Sequence, residues 1–145
     1  MLRALGGTTV TVSGTPAPIL YASYNQINFQ VPYTVTAGST AQIQVTSSTG
    51  ASGNVSVPVL SSAVGLFTNQ SNGRGQVLAI NQDGTVNSRS NPAVAGSYIS
   101  LYADGLGTLN ETINAGTPTP NSPLFSASGT VNVIIGGLTA PVQFA

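Results

Sequence analysis

Asp83, Asp104 and Glu111 are the only carboxylate side chains in this chain, and Arg3, Arg74 and Arg89 are its only cationic ones. There is no His, Cys or Lys. A Ser-His-Asp triad, a Cys-His dyad and the usual zinc sites therefore have no residues to build them. A glycosidase-like pair is arithmetically open to the three carboxylates. It needs two of them roughly 5–10 Å apart in a cleft. Asp83 is better explained by the turn Asp83-Gly84, Asp104-Gly105 reads as a strand end, and Glu111 lies in a polar loop. No catalytic residue is expected, and the chain reads as no enzyme.

NQDGTVN (81–87) superficially resembles a calcium loop. It lacks the repeated acidic ligands and the closing Glu that hold a hard cation. A plain hairpin explains it, so no metal and no cofactor is expected. Five tyrosines remain: Tyr21, Tyr24, Tyr33, Tyr98 and Tyr102. Tyr98 and Tyr102 share strand parity and so one face. They form a candidate ligand face for stacking on sugars, set against ordinary packing with the hydroxyl at the rim. Asn54-Val-Ser, Asn69-Gln-Ser and Asn110-Glu-Thr match the N-glycosylation pattern, which arises often in a Thr- and Asn-rich chain. Without Lys and Cys, neither a Lys–Asn isopeptide link nor a disulfide is available. Stability must come from burial and ladder pairing.

The elements that would position these residues are strands. Val10 and Val12 alternate in TVTVS. Ile27, Phe29 and Val31 point inward in QINFQV, and Ile43 and Val45 do so in AQIQVT. Val55, Val57 and Val59 alternate in NVSVPV, and Val131, Val133 and Ile135 in TVNVII. Period-two alternation of this kind marks half-buried strands. TAGST, SSTGASG, QSNGRG and GTPTPNSP punctuate them. Pro58 marks an edge strand or bulge, because it cannot donate to a ladder. LSSAVGLF is at most one helical turn. Many short strands between Gly/Pro turns point to an all-β sandwich.

Hydrophobic residues make up 41% of the 145 residues, but charged ones only 4%, with formal net charge +0. Typical soluble domains carry roughly 25% charged residues. With no basic stripe, nucleic acid is not an expected partner. No apolar run reaches the ~20 residues of a membrane span. The start, MLRALGGTTV, is too short for a signal peptide. Low net charge favours association. That suits a protein that packs on copies of itself, and equally a secreted protein with a Thr/Asn bias.

The phrase GGLTAPVQFA (136–145) echoes SGTPAPILYA (13–22). When Ala145 is set on Ala22, Val10 falls on Val133, Val12 on Ile135 and Gly14 on Gly137. Ala17-Pro18 falls on Ala140-Pro141, Ile19 on Val142 and Tyr21 on Phe144. The shared order of strand, Gly turn, Ala-Pro and strand suggests a duplicated hairpin.

GTTVTVSGTPAPILYASYNQINFQVPYTV resembles a C-terminal domain of large secreted proteins of Acidobacteria, the Solibacter-type uncharacterized C-terminal family. The resemblance continues through GLFT (65–68), AINQDGTVNS and NPA (79–93), GSYISLYADGLG (96–107), SPLF (122–125) and VNVIIGGLTAPVQFA. It implies secretion and tandem immunoglobulin-like β-sandwiches, and no particular activity. In that family the phrase like GGLTAPVQFA continues into a QVNVQVP-type strand. The resemblance thus makes 1–66 the back part of one immunoglobulin-like unit, 67–91 a connecting hairpin, and 92–145 the front part of the next unit, lacking its final strands.

Three outcomes are open: the halves dock within one chain, a neighbouring molecule completes the unit, or the sequence is a piece of a longer one. The expectation is a non-enzymatic extracellular or cell-surface structural protein. It would be the subunit of a head-to-tail filament assembled by strand complementation. The self-assembly strands would carry Val10, Val12, Ile19, Tyr21, Ile27, Phe29, Val31, Val131, Val133, Ile135, Val142 and Phe144. The alternative is a carbohydrate- or surface-binding adhesion module of a larger secreted protein. Partners would be copies of itself or surface glycans.

Overall fold

The computed structural model describes Met1–Ala145. The chain is all-β, without helices, in several small antiparallel sheets. No helix is long and apolar enough to cross a membrane. Two compact units are present: Met1–Ser61 with Gly107–Ala145, and Ser62–Leu106.

The first unit opens with eight strands: β1 (Ala4–Leu5), β2 (Thr8–Val12), β3 (Thr15–Pro16), β4 (Ile19–Ala22), β5 (Ile27–Phe29), β6 (Thr40–Ser47), β7 (Gly50–Ala51) and β8 (Val55–Pro58). β1, β2, β6 and β7 lie in order in a sheet of six, with β3 on β2 and β8 on β6. β4 and β5 form a hairpin of their own. The centre is the β2–β6 ladder, where Val10 faces Val45 and Val12 faces Ile43. Thr and Gln fill the alternate positions, so the pleat sends the apolar side chains one way. Val10, Val12, Ala17, Ile19 and Ala41 form the buried core, and Ile27, Phe29, Val35 and Val59 pack against it. Each buried Val contributes about 1.5–3 kcal/mol.

Two details depart from simple alternation. Val31 is exposed rather than inward, and β5 ends at Phe29. Pro32 follows, and the residue before a proline is restricted while the proline itself has no N–H to offer. Val55 and Val57 are exposed too. β8 pairs only with β6, through Val57 to Ala41 and Val55 to Ile43. It is the edge strand that Pro58 suggests, and no second layer covers it.

The second unit holds β9 (Gly65–Leu66), β10 (Ala79–Asn81), β11 (Ile99–Leu101) and β12 (Ala103–Asp104). β10 pairs with β11 and β9 with β12. Its buried residues are Ala79, Thr68 and Asn81. So small a core leans on amides. The Asn81 side chain donates to Thr85 Oγ1 and to the Asn91 carbonyl, and accepts from Asn87 Nδ2 at 2.8 Å. Asp83-Gly84 makes the turn beside it, with Gly84 at φ 83 and Asn81 N–H donating to the Thr85 carbonyl.

The chain then returns to the first unit. Gly116 N–H donates to Gln30 Oε1 at 2.7 Å. A Cβ on Gly116 would stand 2.9 Å from Pro18 Cγ, so only Gly lies this close. Leu109 and Ala127 form a bridge, and the last hairpin is β13 (Val133–Ile135) with β14 (Leu138–Ala140).

Candidate functional site

The two hairpins of the sequence echo turn alike. Around Ser13-Gly14, Val12 pairs with Thr15. Around Gly136-Gly137, Ile135 pairs with Leu138. Both turn residues have positive φ in each: 49 and 79 for Ser13 and Gly14, 60 and 83 for Gly136 and Gly137. That is the signature of a two-residue turn whose twist matches its strands, and Gly adopts it without a Cβ penalty.

Beyond the turn the hairpins differ. β2 is paired on its other edge by β6, and Val10 and Val12 are 0% and 1% exposed. β13 pairs with β14 alone. Ile134 is 70% and Leu138 76% exposed, and Ile135 is exposed as well. Val142–Ala145, the counterpart of β4, forms no strand. Its one backbone tie is Ala145 O, which accepts from Ala127 N–H at 2.6 Å. A shallow, open depression lies along it, lined by Ala127, Val131, Val142 and Phe144 among others. After the first hairpin the corresponding strand β4 has β5 beside it, and Ile19 is buried.

The expected self-assembly residues thus fall into two groups. Val10, Val12 and Ile19 are buried in the chain's own core, with Ile27 and Phe29 packed against it. Tyr21 and Val31 are exposed. Val131 and Val133 are half-buried, while Ile135, Val142 and Phe144 are exposed around the last hairpin. Two exposed residues of this hairpin were not legible from the alternation. Ile134 sits on the opposite parity to Val133, and Leu138 lies just past the Gly turn.

Tyr98 stands just before β11 and Tyr102 between β11 and β12, outside both strands, and both are exposed. Phe67 and Leu78 join Tyr102 through a ring of main-chain bonds. Phe67 N–H donates to Tyr102 O at 3.0 Å, Leu78 N–H to Phe67 O at 2.8 Å, and Tyr102 N–H to Leu78 O at 3.4 Å. Sequence spacing gives no signal for this junction.

The carboxylates have separate settings. Asp83 Oδ1 accepts from Thr85 Oγ1 at 2.6 Å and from Thr85 N–H at 3.0 Å. The hydroxyl first and the amide second hold its pKa below the ordinary carboxylate value. The Asp83 carboxylate is thereby committed to its own turn. Asp104 lies over Gly65. No three acidic, His or Cys side chains gather as a metal-holding group. No family model, curated protein or solved structure matches the chain.

Proposed function

We propose that this is a non-enzymatic extracellular structural protein. Its units are immunoglobulin-like sandwiches of the Solibacter-type secreted family, and it assembles head to tail by β-strand addition. One observation carries the reading. The same hairpin occurs twice, once enclosed by β5 and β6 and once with its outer edge unpaired and its apolar side chains in solvent. An unpaired, uncharged strand edge is a template for another chain.

The neighbour's contribution is β8. It is an open edge of four residues, with Val55 and Val57 exposed on it. Neither β8 nor β13 carries a charged residue, so neither has the Lys or inward charge that blocks edges elsewhere. Joining β13 of one copy to β8 of the next is a heterologous contact, which propagates rather than closes.

Light scattering and negative-stain microscopy across a concentration series test this. Growing particles or filaments are expected, and Ile134→Lys should abolish them. Val94→Lys, on an exposed residue of the other unit, should not. A monomer at every concentration overturns the reading.

A further inference from the structure

We infer that the exposed side of the segment Tyr98–Asp104, which holds β11 and β12, is a binding site for neutral polysaccharide. Along it Tyr98, Ser100, Tyr102 and Asp104 are exposed, while Ile99, Leu101 and Ala103 between them are half-buried. The face therefore reads ring, hydroxyl, ring, carboxylate. The two tyrosines are four positions apart in the chain, which puts their Cα atoms at most about 14 Å apart.

Tyr98 is 59% and Tyr102 50% exposed. Each therefore leaves ring surface open to a ligand. The main-chain ring sets Phe67 and Leu78 beside Tyr102, and both are also exposed. At the other end, Tyr98 N–H donates to Gln82 Oε1 at 3.1 Å, which fixes the amide next to the first ring.

The chemistry of this face selects the ligand. Aromatic faces attract the C–H faces of sugar rings, since those carry partial positive charge against the ring's negative quadrupole. Ser100, Gln82 and Asp104 offer partners for sugar hydroxyls. Charge decides the class. Of Tyr98, Ser100, Tyr102 and Asp104, with Phe67, Leu78 and Gln82 beside them, only Asp104 is of a charged type. Among these residues an acidic polysaccharide or nucleic acid would meet a carboxylate and no cation. A neutral glycan meets neither problem.

This site is independent of the strand edges, and a variant that blocks polymerisation leaves it intact. The test is affinity chromatography on columns of immobilised dextran, glucomannan or hydroxyethylcellulose, with polygalacturonate as the anionic counterpart. At least one neutral polymer should retard the protein, and polygalacturonate should not. Tyr98→Ala and Tyr102→Ala should each weaken retention by about tenfold or more, a loss near 1.4 kcal/mol. Tyr102→Phe keeps the ring and should retain binding. Tyr24→Ala, on an exposed tyrosine of the first unit, should change nothing. Retardation by none of the neutral polymers overturns the inference, as does equal retardation by polygalacturonate or undiminished binding by the alanine variants. So does light scattering showing that Tyr102→Ala disrupts self-association, which would assign the face to a second copy.

Discussion

Ala63 and Gly105 meet main chain to main chain, with Ala63 N–H donating to the Gly105 carbonyl at 2.8 Å. Gly105 has φ +70, and a Cβ there would overlap the Ala63 carbonyl oxygen. Both the dihedral and the contact exclude a side chain. Gly105→Ala should therefore destabilise the second unit by about 3 kcal/mol or more, beyond an ordinary surface change. Gly129→Ala, whose Cβ would enter open space, should be close to neutral. Urea denaturation of both variants checks this.

The duplicated hairpin gives a paired comparison. Val10 is fully buried and Val133 is not. Val10→Ala should cost about 2 kcal/mol, the transfer term plus part of a cavity. Val133→Ala should cost under about 1 kcal/mol in the monomer. If β13 is covered in an assembly, the same Val133→Ala should also raise the concentration at which particles form. Equilibrium unfolding at low protein concentration and light scattering at high concentration separate the two effects.

Thr68 is buried, and its hydroxyl oxygen has no hydrogen-bond partner. An unmade hydrogen bond of a buried hydroxyl costs about 1–3 kcal/mol. Thr68→Val keeps the branched shape and removes the hydroxyl. It should raise stability by about 1 kcal/mol, read as a higher melting temperature. Thr68→Ser, which keeps the hydroxyl and loses a methyl, should lower it.

Asp83 makes part of the stability depend on pH. Its carboxyl is held below the ordinary value of 3.8 by the Thr85 hydroxyl and amide. The unfolded chain therefore takes up this proton at higher pH than the folded one. The contribution is complete above the unfolded value and fades as pH falls through the lower, folded value. Asp83→Asn should flatten that acid limb and leave stability steady between neutral pH and the onset of acid loss. Thermal melts across the acid range report it.

Much of the strand pattern can be read from Val and Ile alternating with Thr and Gln, as in Thr8–Val12 and Thr40–Ser47. Turn chemistry is equally local, and Asp83-Gly84 is plain from two residues. Alternation tells which way a side chain points, but not whether another layer lies there. Val12 and Ile135 occupy matching places in matching hairpins, yet one is buried and the other open. The difference comes from β6, which is remote in sequence. The same limit hides the Phe67, Leu78 and Tyr102 junction, where three separate segments meet through main-chain bonds. Local pattern predicts one face for Tyr98 and Tyr102, while the break between β11 and β12 at Tyr102 follows from long-range pairing.

The twin turns also have a kinetic meaning. A hairpin closed by two residues forms in about 1–10 μs, with almost no loop entropy to overcome. For the first hairpin this is only the opening move, because Val10 and Val12 gain their burial when Thr40–Ser47 arrives across a long loop. Such non-local pairing is the slow part of folding an all-β chain. Val133–Ala140 can make the first move as quickly. Among Met1–Ala145 only β14 pairs with β13. In the proposed assembly its docking step would be bimolecular, with a rate set by protein concentration rather than by chain length.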